Sequence, residues 1–378
     1  YEVCAGTRDE KEGEEGMAHF CEHTTFKGTR HRSAMQILNR LESVGGDLNA
    51  FTNKEDTVYY SAILKDHFPR AVDLLTDIVF GSTYPQAEID KEVEVICDEI
   101  ESYNDSPAEL VYDLFENAVF GGHPLGHNIL GTAEKLRRYT TADALRFTLR
   151  YYRPENSVFF AYGDVDFRKL VRLLERANAN VAAVSLPPQQ QALCDESAGC
   201  CGGKDTAATV LPPYVAQHIE HHMDTHLAHV MLGTRAYDVH DERRIALYLL
   251  NNILGGPGMN AKLNLALREH NGLVYTVEST MVAYGDTGTW SIYFGCDDHD
   301  IKRCLRLVRK ELDRMMEKPL SDSQLKAAKK QIKGQIGVAC DNRENFALDF
   351  GKSFLHYGWE KNVDRLYEQV DAITAQQM

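Results

Sequence analysis

Two histidines and a glutamate stand together in His19-Phe20-Cys21-Glu22-His23, and their types and spacing could do hydrolytic chemistry. On a helix, positions i, i+3 and i+4 share one face, so both imidazoles and the carboxylate project toward one point. Two imidazoles can hold one metal ion. Glu22, in the intervening turn, is badly placed to bind the same ion but well placed to take a proton from water that a zinc ion has acidified. The chain has 15 His, and a single His on a half-buried helix is more often an ordinary core or surface residue than a ligand. Three such residues within a turn and a half, after the helix start Gly16-Met17-Ala18, favour a metal centre holding one Zn2+ per chain.

Catalytic zinc usually takes three protein donors and keeps one position open, so a further ligand is required. The acidic stretch 86–103 offers Glu88, Glu92, Glu94, Asp98, Glu99 and Glu101, among which spacing alone does not choose. A strongly charged helix is ordinarily a solvated one. Glu92 and Glu99 are seven residues apart, two turns on one face, so one can ligate while the other orients; Val93, Val95 and Ile96 would anchor the helix.

These residues need a scaffold, and the sequence reads as α+β, in two similar halves. The first, 1–186, runs through a strand, the metal helix, a helix at Ser33 to Val44, a strand at Asp56 to Leu64 and long helices to about Tyr152. It ends with a strand at Ser157 to Tyr162 and a helix at Asp166 to Ala177. Residues 187–209, rich in Pro, Gln, Gly and Ala, read as a linker. The second half, 210–378, places strands near 226–236, 273–281 and 288–296 among amphipathic helices. Asp56-Thr57-Val58-Tyr59-Tyr60 with the helix Phe68 to Val79 parallels Gly288-Thr289-Trp290-Ser291-Ile292 with the helix Asp300 to Met316, a divergent repeat. The second copy has no HxxEH pattern, so the first half alone carries the metal.

Composition fits a sizeable enzyme: 378 residues, 43% hydrophobic and 26% charged. A formal net charge of −15 argues against nucleic acid as a partner, since phosphate contacts need clustered Lys and Arg, and would instead attract basic, extended peptides. No apolar run approaches the ~20 residues that span a bilayer. Nine irregularly spaced Cys favour a reducing compartment, hence the cytoplasm, over a disulfide framework. Cys200-Cys201, with Cys194 nearby, lacks CxxC spacing and reads as part of a connector. The tract His218, His221, His222, His226 and His229 reads as polar strand and loop, since residues four apart on a strand are too distant for one ion. Gly255-Gly256-Pro257-Gly258 lacks the Lys-Ser or Lys-Thr of a phosphate cradle and reads as a helix-entry loop.

In order along the first half, Met17 to His23, Phe26-Lys27-Gly28-Thr29, Leu48-Asn49-Ala50-Phe51-Thr52 and Glu55 through Tyr60 resemble the inverted-motif zinc peptidases that include pitrilysin, insulin-degrading enzyme and mitochondrial processing peptidase. The resemblance continues through Leu254-Gly255-Gly256, opening a helix that ends in Leu267-Arg268-Glu269, and Gly272-Leu273-Val274-Tyr275. It implies His19, His23 and Glu99 as zinc ligands, Glu92 as a supporting carboxylate and Glu22 as general base. It also implies Asn49, Ala50, Phe51 and Thr52 as an edge strand that pairs with an extended peptide, and Arg268 and Tyr275 as donors to the scissile carbonyl.

Further implications are two homologous domains forming half of a clam-like chamber, and a homodimer, or a heterodimer with a related chain, that sets Arg268 and Tyr275 of one chain over the zinc of the other. The expected activity is endoproteolysis of unstructured or presequence-like peptides. A noncatalytic partner subunit is the alternative, against which the complete set His19, Glu22, His23 and Glu99 speaks; a metallohydrolase of nonpeptide substrates is disfavoured by the edge segment. The family usually has another strand before Tyr1-Glu2-Val3-Cys4, and commonly another helix and strand after Gln376-Gln377-Met378.

Overall fold

Short strands alternate with amphipathic helices in the computed structural model, which describes residues 1–183 and 210–378. The first half contains β1 (Glu2–Val3), α1 (Met17–Thr25), α2 (Ala34–Glu42), β2 (Asn49–Thr52), β3 (Thr57–Tyr60), α3 (Phe68–Gly81), α4 (Gln86–Asn104) and α5 (Pro107–Phe120). A one-turn helix at Ala133–Leu136 leads to α6 (Thr141–Tyr151), β4 (Ser157–Val158) and α7 (Phe167–Ala183). The second half contains β5 (Ala228–Ala236), α8 (Arg243–Gly255), a π-helical turn at Asn264–Glu269, β6 (Val274–Ala283), β7 (Gly288–Cys296), α9 (Ile301–Glu317), α10 (Asp322–Cys340), α11 (Arg343–Tyr357) and α12 (Val363–Ala372).

Local chemistry sets several boundaries. Ser33 with Gln36, Thr140 with Asp143 and Ser321 with Gln324 form capping boxes that open α2, α6 and α10. Pro107 begins α5, where its missing N–H costs nothing, and Gly121 in the left-handed region (φ 55°) closes it.

The described residues divide into two compact units whose members are not contiguous in sequence. Unit 1 draws its described residues from Tyr1–Ser102, Gly122–Leu211 and Arg343–Lys361, so it includes α11 from the second half. Unit 2 comprises Tyr103–Gly121, Pro212–Asn342 and Asn362–Met378, so it includes α5 from the first.

In unit 1 an antiparallel sheet has the order β2-β3-β1-β4, with β2 at its edge. Ala50 lies opposite Tyr59, Phe51 opposite Val58, and Val58 opposite Glu2. Successive residues of a strand face opposite sides, which sorts these pairs onto two faces. Tyr59, wholly buried, faces α1: its hydroxyl lies 3.2 Å from Thr25 Oγ1 and 3.0 Å from Tyr152 OH. The other face packs on α11, where Phe350 stacks on Phe160 and Lys352 Nζ and His356 Nε2 lie 2.9 and 3.3 Å from the buried Asp56 Oδ2.

Unit 2 holds an antiparallel sheet in the order β5-β7-β6 with nine- and ten-residue strands. Leu254, Leu263, Leu267, Ile292, Phe294 and Val308 form its sheet-side core; Leu249, Ile332 and Val370 join α8 to α10 and α12. Asn251 ties α8 to the sheet, donating to Ser279 O at 2.9 Å and accepting from Trp290 Nε1 at 3.0 Å. Helix α5 joins this unit through Arg235, which donates to Val119 O at 3.0 Å.

Several sequence expectations shift in detail. The strands expected at Asp56 to Leu64 and Ser157 to Tyr162 are shorter. Leu254-Gly255-Gly256 does not open a helix: Leu254 and Gly255 end α8, because Pro257 pushes Gly256 to extended backbone (ψ 178°). The helix resumes later and carries Arg268 in its π-helical turn. The expected linker, 187–209, and Cys194, Cys200 and Cys201 lie outside the described residues. His218, His221, His222 and His226 are exposed in a segment without regular structure, while His229 lies on β5 with Nδ1 2.9 Å from Tyr293 OH. Among the described residues no helix is long and apolar enough to cross a membrane.

Candidate metal centre and catalytic site

Helix α1 carries its polar residues inward, and its first turn is built to allow this. Gly16 adopts φ 88°, and a Cβ there would meet Gly131 Cα at 2.7 Å, so the close approach of two loops excludes a side chain. The Glu10 carboxylate accepts from Gly16 N at 3.0 Å and Ala18 N at 2.9 Å, filling donors that a helix start leaves open. Phe20 and Cys21 are fully buried and fix the roll of the helix.

That roll sends His19 and His23 to one place, with ring centroids 4.5 Å apart. Helix α4 brings Glu99, whose Oε2 lies 3.9 Å from His19 Nε2 and 3.4 Å from His23 Nε2. One ligand atom from each of these three residues lies within 4.8 Å of the others. Helix α4 is seated by Val93 and Ile96, which are buried as anticipated, whereas Val95 is 52% exposed.

Glu92, one heptad before Glu99, lies 3.1 Å from His23 Nδ1 through Oε1, while its Oε2 meets Lys27 Nζ at 2.6 Å. A His whose Nδ1 is held by a carboxylate presents Nε2 as the free donor, the arrangement metal-binding imidazoles use. Two imidazole nitrogens and a carboxylate oxygen, clustered and half sheltered, form a donor set that suits zinc. Burial and the neighbouring His23 push His19 toward the neutral form. Burial opposes charge on His23, but hydrogen bonds from Glu92 and Glu99 outweigh it and raise its pKa.

Glu22, 8% exposed, accepts a 2.7 Å hydrogen bond from Thr52 Oγ1 on β2. Burial raises its pKa, and the Thr52 hydrogen bond offsets part of that rise. A buried carboxylate held at one oxygen beside a cluster of metal donors has the chemistry a general base requires. Asn49, Ala50, Phe51 and Thr52 constitute β2 itself, the sheet's edge strand, leading directly to Glu22.

Arg268 and Tyr275 belong to unit 2. Tyr275, 83% exposed, is the second residue of β6, within an irregularity between Val274 and Val277, and Arg268 lies over its ring with 5.6 Å from Cζ to the centroid. Two other clusters have metal-like composition among the described residues. In the first, Glu2, Asp56 and His356, the Asp56 Oδ2 already lies 2.9 Å from the Lys352 ammonium; in the second, Asp297 and His299 are exposed beside Asp300. The six described cysteines free of disulfides include Cys21, buried between the two histidines in sequence but facing away from them toward Ala144 O.

Three contacts were absent from the sequence reading: Glu10 at the start of α1, Thr52 on Glu22 and Lys27 on Glu92. Glu10 and Thr52 are polar residues flanking the motif, yet only the folded chain joins them to it. Lys27 falls one turn after His23 on the same face, a spacing that pointed toward the centre.

The fold is that of the M16 peptidases: a protease from Helicobacter pylori superposes with a TM-score of 0.84 at 19% identity, covering 100% of this chain and 87% of its own. A peptidase M16 inactive domain from Pseudomonas fluorescens gives 0.81 at 18% identity, covering 100% and 86%. Residues 2–133 match the family described as Insulinase (Peptidase family M16), and residues 138–332 match the Peptidase M16 inactive domain. An uncharacterized zinc protease of Streptomyces coelicolor is 34% identical over 98% of this chain and 78% of its own length. The uncharacterized zinc protease YmxG of Bacillus subtilis is 30% identical over 100% and 87%. The chain belongs to peptidase family M16, the insulinase family.

Proposed function

We propose that this protein is a zinc-dependent endopeptidase acting on extended, unstructured peptides. The observation that carries the reading is the convergence of His19, His23 and Glu99, within 4.8 Å of one another, beside the buried Glu22. These three residues would hold one zinc ion per chain, with Glu92 fixing the orientation of His23 and Lys27 holding Glu92. When bound, zinc supplies Lewis-acid polarisation.

The chain's own residues do the rest. A peptide lying along β2 would satisfy the free backbone groups of that edge, so Asn49 through Thr52 would set its depth and direction while tolerating varied side chains. Glu22, steadied by Thr52, would accept a proton from the attacking water and deliver it to the leaving amine. Arg268 and Tyr275 would donate to the developing oxyanion, which gains most from donors fixed before reaction. In a homodimer these two would act on the partner's site, so Glu22→Gln and Arg268→Ala proteins, each inactive alone, would regain cleavage when mixed. No recovery after verified subunit exchange would rule that arrangement out.

The primary test is zinc content together with hydrolysis of a quenched, unstructured peptide. The expected result is about one zinc per chain in wild type and Glu22→Gln alike, with cleavage in wild type alone, abolished by chelation and restored by zinc. Zinc in both with cleavage in neither, across a broad peptide panel, would favour a partner-subunit role; a chain that takes no zinc would overturn the proposal.

A further inference from the structure

The histidine tract ahead of β5 belongs to unit 2 and supplies no residue to the centre on α1 and α4. His218, His221, His222, His226 and His229 are five of the chain's 15 His, gathered between positions 218 and 229. As a strand, the tract would hold His222 and His226 about 13 Å apart, too far for one ion. The fold removes that premise: β5 begins at Ala228, and residues 211–227 carry no regular structure. Of the five, His229 alone stands on the strand, where its Nδ1 lies 2.9 Å from Tyr293 OH.

A tight turn interrupts the tract. Thr225 N donates to Met223 O at 3.0 Å, which closes a three-residue turn with Asp224 at its tip. Thr225 Oγ1 donates to Leu227 O at 2.9 Å and steadies the outgoing limb. His222 and His226 flank this turn, one on each limb, so the turn shortens the span that a straight strand would impose. On the incoming limb, Glu220 is two residues before His222 and so shares its side of an extended backbone. His218, two further back, has Nε2 3.0 Å from Glu220 Oε1. All four of these side chains are exposed, and His222 and His226 have no hydrogen-bond partner among the described residues. Little therefore has to be broken to gather them.

Two imidazoles and a carboxylate make a donor set that suits Zn2+, Ni2+ or Cu2+, and not Mg2+ or Ca2+, which prefer oxygen alone. We propose that this tract is a second metal site, in which His222 and His226 hold one zinc ion across the turn, Glu220 supplies the third donor and His218 holds Glu220 from behind. A ligating carboxylate is usually itself hydrogen-bonded, and the His218 contact is of that kind. The ligands gather as the ion arrives, so binding and local ordering are one event. That ordering makes the site weaker than one whose donors are already packed, as on α1 and α4. An exposed site of this kind empties on dialysis against metal-free buffer, and the tight centre then accounts for the zinc that remains. The site is independent of the peptidase reading.

Isothermal titration of zinc into the metal-free full chain tests the site. Wild type should take up about one equivalent more than a chain carrying His222→Asn and His226→Asn, while a tighter equivalent is common to both. His218→Asn should weaken the added equivalent by about 10-fold, as loss of an outer partner does. A chain carrying His19→Asn and His23→Asn should lose the tight equivalent and keep the added one, so failure of the zinc centre and failure of this site are told apart. The substituted tract residues are exposed, and thermal unfolding that matches wild type verifies the fold of their variants. Equal uptake by wild type and the chain carrying His222→Asn and His226→Asn would overturn the site. So would an equal loss when the exposed His240 and His270 are replaced instead, since zinc would then be held by scattered surface imidazoles.

Discussion

Unit 1 buries ionisable groups where unit 2 buries amides and hydroxyls. Glu2, Glu10, His19, Glu22, Asp56, Asp77 and Glu92 are all under 10% exposed in the first. In the second, the buried polar residues are Asn252, Asn264, Ser279, Thr287, Thr289 and Ser291, with Glu311 the one carboxylate among the described residues. The helices preceding the main hairpins show the same contrast. Helix α1 turns His19 and Glu22 inward, while α8 buries Ile245, Leu249 and Leu254 and uses Asn251 to hold the sheet. Buried charge is destabilising unless paired, and of the two similar folds the first carries nearly all of it. Neutral polar groups in the same layers of unit 2 serve cohesion.

The sharpest way to break this contrast is to remove one buried charge and one neutral anchor and compare what each loses. Glu22→Gln should lower kcat by about 10²- to 10⁴-fold, the worth of a general base, with zinc content unchanged in metal analysis. Glu92→Gln should weaken zinc binding by about 10- to 100-fold in a competitive chelator titration, because His23 loses the group that orients it. On the other side, Asn251→Ala should cost about 1–3 kcal/mol in denaturant unfolding by stranding Trp290 Nε1 and the Ser279 hydroxyl. The zinc affinity of that variant should match wild type. If Asn251→Ala weakened zinc as much as Glu92→Gln does, the division of labour drawn here would be wrong.

The smallest effect is a pH dependence. Glu2 has its pKa raised from 4.5 to about 8, so its favourable contribution is full below 4.5 and is lost as pH climbs through 8. Asp56 runs the other way. Burial opposes its charge, but His356 and Lys352 bring it from 3.8 to about 2, so its contribution is present above 3.8 and is lost as pH falls toward 2. Thermal melts from pH 5 to 9 should show a decline in Tm that Glu2→Gln flattens. An unchanged slope would mean that other groups dominate this range.

Much of the centre was legible because it is local. His19, Glu22 and His23 share a face by helical spacing alone, whereas Glu99 and Glu92 were singled out among the carboxylates of 86–103 by the family resemblance and not by their spacing. The strands of the second half were legible by their length and alternation; the first half's two-residue strands carry too little pattern to bound. What escaped was long-range. Thr52 bonds Glu22 across thirty positions of sequence, and no period announces such a contact. The membership of α5 and α11 escaped for a related reason: amphipathicity tells that a face is covered, not by what. The π-helical turn bearing Arg268 is likewise a departure that hydrophobic spacing does not encode.

The placement of α11 has a consequence for how the protein is made. Unit 1 draws on residues up to Lys361, although most of its elements have been translated by Ala183. At roughly 5–20 residues per second, the ribosome needs about 10–35 s more to deliver the helix that covers Asp56 and the back of the sheet. Throughout that interval the nascent first half displays an unfinished sheet with its edge and one face bare. Vectorial synthesis therefore cannot finish the half that holds His19, His23 and Glu99 first, and its maturation is timed by the release of nearly the whole polypeptide.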